Sequence, residues 1–398
     1  MKRILLASAA VVALAGFAKA EDVKLGILIG FTGPIESLTG HMANAAEMAM
    51  AEVNASGKSA YNFVSVRADS TCVDAAAAQA AAERLVTAEG IKGMIGGDCS
   101  GVTRAVLQNV ARPNGIVMVS PSATSPALTA DEDDGLFFRT APSDAREGEV
   151  MADILMEKGV KSIALTYSNS DYGKGLAEAI ASAFTAKGGV VTINAAHDDG
   201  KADYSAEVAA LASAGGDLLV VAGYLDQGGK GIIQASLDSG AFSQFGLPGG
   251  MVGDSLPVAI GPALDGSYGQ VAASDSAGAA VLLEMGAAAT PAFDGSSPYT
   301  NESYDAAALI MLAMAASGST DGKVYKDKLL EIANGPADGS GVVIQPGELG
   351  KALELIAAGT AINYEGASGV TLIGPGESAG RYRQFEIKAG AYETVIFR

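Results

Sequence analysis

Met94-Ile-Gly-Gly-Asp-Cys-Ser-Gly-Val-Thr103 and Ile116-Val-Met-Val-Ser-Pro-Ser-Ala-Thr124 decide the fold. Each is a short apolar run ending in a turn dense with small hydroxyl residues, and each reads as a buried parallel strand. In an open α/β sheet, ligands sit in the crevice outside the carboxyl ends of the strands, where backbone N–H groups and helix N-termini point. The two turns therefore form one wall of a pocket, and the rest of the chain must supply the other.

Upstream, Lys24–Gly30 reads as a buried strand closing on Phe31-Thr-Gly-Pro34. Met42, Ala45, Ala46, Ala49 and Val53 recur at helical spacing before Asn54-Ala-Ser-Gly57. Tyr61–Ala68 is a second strand, and Asp74 caps an alanine-rich helix to about Ala88. Ile91–Ile95 (strand), Thr103–Val110 (helix), Ile116–Val119 (strand), Glu147–Lys158 (helix) and Ser162–Tyr167 (strand) continue the alternation, which implies a parallel sheet covered on both faces. Pro121–Ser143, with its prolines and the acidic run Asp131–Asp134, is the first passage between lobes. A second series follows: Lys174–Ala186 helix, Val190–Ala195 strand, Tyr204–Ala212 helix, Asp217–Ala222 strand, Gly229–Ser239 helix. Gly246–Gly253 is a glycine-rich turn, and the stretch from there to Ser297 shows no assignable pattern. Asn301–Ala316 is a helix apolar on all sides, hence buried. Tyr382–Lys388 and Tyr392–Phe397 alternate as a hairpin.

The 398 residues exceed the usual size of one hydrophobic core, so two lobes are expected. Met1-Lys2-Arg3, an apolar Ile4–Phe17 and Ala18-Lys19-Ala20 form a secretory signal peptide, with the mature chain starting at Glu21. No later run approaches the roughly 18 apolar residues of a membrane span. Without Lys2, Arg3 and Lys19 the 26 basic residues fall to 23 against 45 acidic, a formal charge of −22, which argues against nucleic acid as a partner. In an oxidising compartment, Cys72 and Cys99 can form one bridge, contributing roughly 3 kcal/mol through loop entropy; two buried free thiols are the alternative.

Enzyme chemistry is poorly represented. His41 and His197 are far apart, with no metal-ligand spacing and no triad histidine beside a G-x-S-x-G elbow. Gly97-Asp-Cys-Ser-Gly101 lacks the elbow's spacing, Gly173-Lys-Gly175 lacks a third glycine at Glu178, and no nucleotide phosphate loop is present. The chain is read as a binding protein without a cofactor. Ser100, Thr124 and the main-chain donors of Ser122 and Thr124 can ring an anionic group such as a carboxylate, although Ser100 equally suits an ordinary helix cap. Tyr172 and Tyr224 follow apolar strands of the second series and suit either the facing wall of a cleft or a packed lobe edge.

Gly33-Pro34, the acidic turn with Cys72, the Cys99-Ser100 turn, Ser120-Pro-Ser-Ala-Thr124, Tyr172-Gly173, Gly223-Tyr224 and the glycine-rich turn near 250 occur in one order along nearly the whole mature chain. Together they resemble the periplasmic leucine/isoleucine/valine-binding proteins, the solute receptors of branched-chain amino acid ABC transporters. The resemblance implies an α/β fold of two Rossmann-like lobes with parallel central sheets, joined by a three-strand hinge and closing on a ligand. It implies a Cys72–Cys99 bridge and lobes comprising 21–141 plus 272–379 and 142–271 plus 380–398. It also implies a ligand carboxylate held by Ser100, Ser122 (main chain) and Thr124, faced by Tyr172 and Tyr224. Two positions depart: Leu38 stands where relatives carry a tyrosine, and the glutamate that pairs with the ligand ammonium falls on Gly250. Asp254, Asp226, Glu36 and Glu302 are candidate substitutes, with Asp254 nearest in sequence. The expectation is a monomeric periplasmic receptor for an amino acid or related small carboxylate, delivering it to an inner-membrane ABC permease. A receptor for urea or short amides and a ligand-sensing subunit are the alternatives.

Overall fold

A computed structural model describes residues 20–398; the expected leader, residues 1–20, lies outside the described residues but for Ala20. Strands β1 (Glu21–Ile29), β2 (Tyr61–Asp69), β3 (Met94–Gly96), β4 (Met118–Ser120) and β5 (Phe137–Arg139) pair in parallel in the order β2-β1-β3-β4-β5. Strands β6 (Ser162–Ser168), β7 (Val190–His197), β8 (Leu218–Ala222), β9 (Phe245–Leu247) and β10 (Tyr268–Ala272) repeat that order in a second sheet as β7-β6-β8-β9-β10. Both sheets therefore reverse winding beside their first strand, which is where a doubly wound sheet opens a crevice. The α/β architecture with two parallel sheets read from the sequence is the one observed.

Two short pairs follow, β11 (Val342–Ile344) with β12 (Ile362–Tyr364), and β13 (Leu372–Ile373) with β14 (Glu377–Ser378). The tail forms the expected hairpin, β15 (Tyr382–Lys388) and β16 (Ala391–Phe397). Its partner was not legible: β15 pairs antiparallel with β10, so the second sheet is mixed. The chain passes between the sheets three times, after Arg139, after Ala272 and between Ser378 and Tyr382, and Pro142 bridges to Ser378.

Most helices start earlier than their apolar periodicity indicates, because their first turns are held by caps or by the other lobe. Helix α1 spans Glu36–Ser56 and buries Leu38 and Thr39 ahead of Met42. Helix α2 (Ala75–Arg84) is capped by Asp74, whose Oδ1 accepts from Ala76 N and Ala77 N at 2.9 and 3.0 Å, as its sequence indicates. Helix α3 (Ser100–Val106) begins at Ser100 with Cys99 at the cap position, so Ser100 is its first residue and not its cap. The helices Asp144–Glu157 and Asp171–Ala186 are capped by Ser143 and Ser170. In the helix Thr300–Ser317 all but Asn301 of the first fifteen residues are buried, which explains a sequence with no polar face. The unassigned stretch before it contains the helices Ser255–Ile260 and Ala277–Ala288 and strand β10, short elements rich in Gly and Ala whose small side chains carry little periodic signal. Among the described residues no helix is long and apolar enough to cross a membrane.

Cys72 and Cys99 are bonded, with their Cα atoms 5.1 Å apart, and tie the turn after β2 to the turn after β3. The link closes a separation of 27 residues, so Cys72→Ser/Cys99→Ser should lose about 3 kcal/mol by loop entropy. Thermal unfolding with and without reductant measures this; an unchanged melting temperature would show that the bridge adds no stability.

Candidate functional site

The carboxyl ends of β3 and β4 face those of β6, β8 and β9 across the space between the sheets. In the first wall, Asp98 is fully buried and organises three strand ends: its Oδ2 accepts from Gly30 N at 2.6 Å and its Oδ1 from Ser70 Oγ at 2.8 Å. Burial raises its carboxyl pKa, and these donors oppose the shift. Ser100 Oγ accepts from Ser125 N at 3.1 Å, leaving its own O–H to donate elsewhere. Ser122 Oγ donates to Asp98 O at 3.0 Å. Thr124 Oγ1 is buried with no partner among the described residues, while its carbonyl accepts from Asp144 N at 2.8 Å.

The second wall is aromatic. Ser170 Oγ caps the helix Asp171–Ala186 by accepting from Gly173 N, which fixes Tyr172 in the first turn. Tyr224 leaves the end of β8 and stacks on Tyr172, ring centroids 5.0 Å apart. Tyr172 Oη accepts from Gly250 N at 3.0 Å. A cavity of about 20 Å³ is enclosed by Ile35, Leu38, Asp98, Cys99, Ser100 and Ser122 on one side and by Tyr172, Tyr224, Gly250 and Tyr299 on the other. That is about the room of one water, so the lobes are closed. Both tyrosines are at most 5 % exposed, and burial raises their phenol pKa values well above the ordinary range.

Behind the cavity lies an acid pair that the sequence did not reveal. Asp144 and Glu147 open the helix Asp144–Glu157 and are fully buried. Both carboxylate oxygens of Asp144 lack a partner. Glu147 Oε1 accepts from Gly249 N at 2.6 Å and from Gln270 Nε2 at 3.3 Å. Burial raises Asp144 well above the usual carboxylate range and the neighbouring Glu147 adds to the shift, while the Thr124 hydroxyl and the charge of Arg139 oppose it. Glu147 is pushed up to about 7, again by burial. Gln270 Oε1 and Tyr382 Oη are further buried acceptors without partners. The fully buried Arg139 forms no ion pair with either acid, because its guanidinium is taken by Glu377, Thr129 Oγ1 and the carbonyls of Ala123 and Ser125, and its charge opposes the Asp144 shift only from a distance. It braces the Pro121–Ser125 turn instead. Two acids three residues apart after a serine look like ordinary charges of a helix first turn, which is why sequence alone passed over them; the signal for Arg139, inside Phe137-Phe-Arg139, was a cation in an apolar run.

Ser100, Ser122, Tyr172 and Tyr224 line one cavity, Thr124 lies behind it beside Asp144, and the four proposed substitutes for the missing glutamate are not among its lining. Asp254 is exposed and lines a different pocket, while the preceding Gly253 is buried with no room for a Cβ between Leu38 and Leu225. Glu36 is exposed in the first turn of α1. Glu302 is buried near Tyr299, and burial pushes it up to about 8. Asp226 joins the lobes: its Oδ2 accepts from Ser37 N and Oγ at 3.1 and 2.6 Å, its Oδ1 from Ser255 Oγ at 2.6 Å, and its N–H donates to Pro34 O at 2.9 Å. This carboxylate caps α1 from the opposite lobe. Asp226→Ala should raise the ligand dissociation rate roughly tenfold and leave association nearly unchanged, since the latch forms only on closure. Stopped-flow binding separates the two rates, and an unaltered dissociation rate would remove the latch role.

The histidines take no part. His41 Nδ1 accepts from Asp294 N, and His197 is buried against Thr166 Oγ1, with burial lowering it to about 4. Among the described residues no cluster of His, Cys, Asp and Glu is arranged to hold a metal.

Residues 22–337 match the family model described as periplasmic binding protein. The chain is similar to the Leu/Ile/Val-binding protein homolog 3 of Brucella melitensis, 34% identical over 231 residues that span 56% of this chain and 61% of that protein. It is 32% identical to the Leu/Ile/Val/Thr-binding protein of Salmonella typhimurium over 66% of this chain and 72% of the relative. Its fold is similar to that of a leucine-binding protein from Thermotoga maritima, with a TM-score of 0.75 and 19% identity, covering 94% of this chain and 98% of the other.

Proposed function

The chain belongs to the periplasmic binding protein family, and on that premise we propose that it is a receptor for a small amino acid, which it encloses between its lobes. The observation that carries this reading is a closed cavity with a hydroxyl and N–H wall and, behind its aromatic lining, a buried acid pair that forms no ion pair among the described residues. A ligand carboxylate fits the free O–H of Ser100, the main chain of Ser122, Thr124 and the first-turn N–H groups of α3. A ligand ammonium fits Asp144 and Glu147, which then replace the counter-charge missing at Gly250. Ile35, Leu38, Tyr172 and Tyr224 supply the apolar contact.

The two lobes, 21–141 plus 272–379 and 142–271 plus 380–398, rotate about the three passages, and ligand contacts from both favour the closed state. The chain acts as an exported periplasmic monomer without catalysis and hands its ligand to an inner-membrane ABC permease. A receptor for urea or short amides is the second reading, favoured by the small cavity; a neutral amide would donate N–H groups to Asp144 without bringing charge.

Calorimetry against amino acids, their deaminated carboxylates, and amides tests both readings; heats from amides alone would replace the first reading with the second. An ammonium beside Glu147 favours its ionised form, so binding should release a proton. Affinity for amino acids should rise with pH and level off above about 7, by up to tenfold per unit below that point for one coupled proton. Deaminated ligands should not show this slope. Titration in buffers of different ionisation enthalpy counts the protons, and zero release would remove the acid pair from the site.

A further inference from the structure

Beside the closed cavity, on the far side of Leu38, lies a second pocket of about 710 Å³ whose walls also come from both lobes. That volume is in the range of small-molecule sites. Ser37, Leu38 and His41 of α1 form one side, and Val252–Ser255, Arg383 of β15 and Tyr392 of β16 form the other.

Most polar groups here already have partners. Asp294 Oδ1 accepts from Ser296 N and Oγ, His41 Nδ1 accepts from Asp294 N, and Tyr392 Oη bonds the main chain of Gly253. Two charged groups do not. The Arg383 side chain makes no ion pair or hydrogen bond among the described residues, and its Nε is buried. Burial lowers its pKa, against the pull of Tyr392, Asp254 and Asp294. Asp254 precedes the helix Ser255–Ile260 without capping it through its side chain and forms no ion pair with Arg383. A half-buried guanidinium whose Nε has no partner can be completed by an anion in the pocket, and the acids nearby disfavour an anion that brings no positive charge.

We propose that this pocket is a second ligand subsite for a small zwitterion, with Arg383 taking the carboxylate and Asp254 the ammonium. Leu38 lines both spaces, so an occupant here waits next to the enclosed cavity. The proposal stands on groups outside the cavity and does not require the cavity's own assignment.

Methyl-resolved NMR of the mature chain titrated with L-leucine tests it, with Ile35 reporting the cavity and Val252 and Val258 the pocket. The expected result is a second, weaker saturating shift at Val252 and Val258. Arg383→Gln should abolish it and Asp254→Asn should weaken it about tenfold, with the Ile35 curve unchanged in both. A pocket response with a silent Ile35 would uphold the subsite and overturn the cavity reading. Pocket shifts that follow the Ile35 curve with one dissociation constant, that persist in Arg383→Gln, or that are absent altogether overturn the subsite.

Discussion

Replacing Asp144 with asparagine should cost more than a hundredfold in affinity for an amino acid while raising the melting temperature of the ligand-free chain. The two effects have one cause. In the closed form without a ligand, the oxygens of Asp144 are buried beside Glu147, and the Thr124 hydroxyl and the more distant Arg139 only partly offset the cost, so the charge is a liability. Removing it relieves desolvation and repulsion, worth on the order of 1 kcal/mol. In the complex the same oxygens meet the ligand ammonium, and loss of one member of a buried charge pair costs roughly 3 kcal/mol, which is over a hundredfold. Carboxylates without an ammonium should bind the variant within about threefold of the parent. The linkage has a definite sign. A carboxyl raised in the folded state stabilises most below its unfolded value and loses that contribution as pH climbs through its folded one. For Glu147 that window runs from the ordinary 4.5 to about 7, so the ligand-free chain should melt lower at pH 8 than at pH 5, and Asp144→Asn should flatten the slope. Calorimetry and thermal unfolding decide it; a variant that binds amino acids normally would exclude Asp144 as the counter-charge.

Restoring the family's glutamate should fail. A Cβ at Gly250 would lie 2.5 Å from Tyr172 Oη and 2.6 Å from the carbonyl oxygen of Gly223. The first neighbour can move, but the second is backbone at the end of β8 and cannot move without shifting Tyr224. Gly250→Glu should therefore displace Tyr172 and the β8 end that carries Tyr224, distorting the aromatic wall within its own lobe, and lose ligand affinity by at least tenfold, with an overpacking cost of about 1–3 kcal/mol. Gly250→Ala should show the same direction, because the clash begins at Cβ. Isothermal titration of both variants against leucine gives the answer; a gain in affinity for Gly250→Glu would mean that the turn Gly249–Met251 re-forms around the new side chain.

The fold was legible where side-chain period and turn chemistry agreed, as in β1, the Asp74-capped α2 and the all-apolar helix Thr300–Ser317. The two strand-end turns were legible for the same reason, since hydroxyl residues after a buried run have few other uses. What escaped depends on partners distant in sequence. Asp226 could be seen as a charge near a strand end, but not that Ser37, 189 positions away, would receive it. Asp144 and Glu147 resembled the favourable first-turn acids of any helix, and only their burial against β10 and the Gly249 turn gives them another meaning. Asp254 was chosen for nearness along the chain, but it is exposed and lines a different pocket.

The tail hairpin also constrains how the molecule is made. Strand β15 completes the second sheet against β10, so that sheet is unfinished until the last seventeen residues are available. The first sheet has all its strands by Arg139, but the helix α1 beside it packs on the later helix Thr300–Ser317. Elements from late in the chain thus complete the packing on both sheets. For a chain proposed to leave the cytoplasm, this late completion favours an unfinished state that a translocation channel can thread.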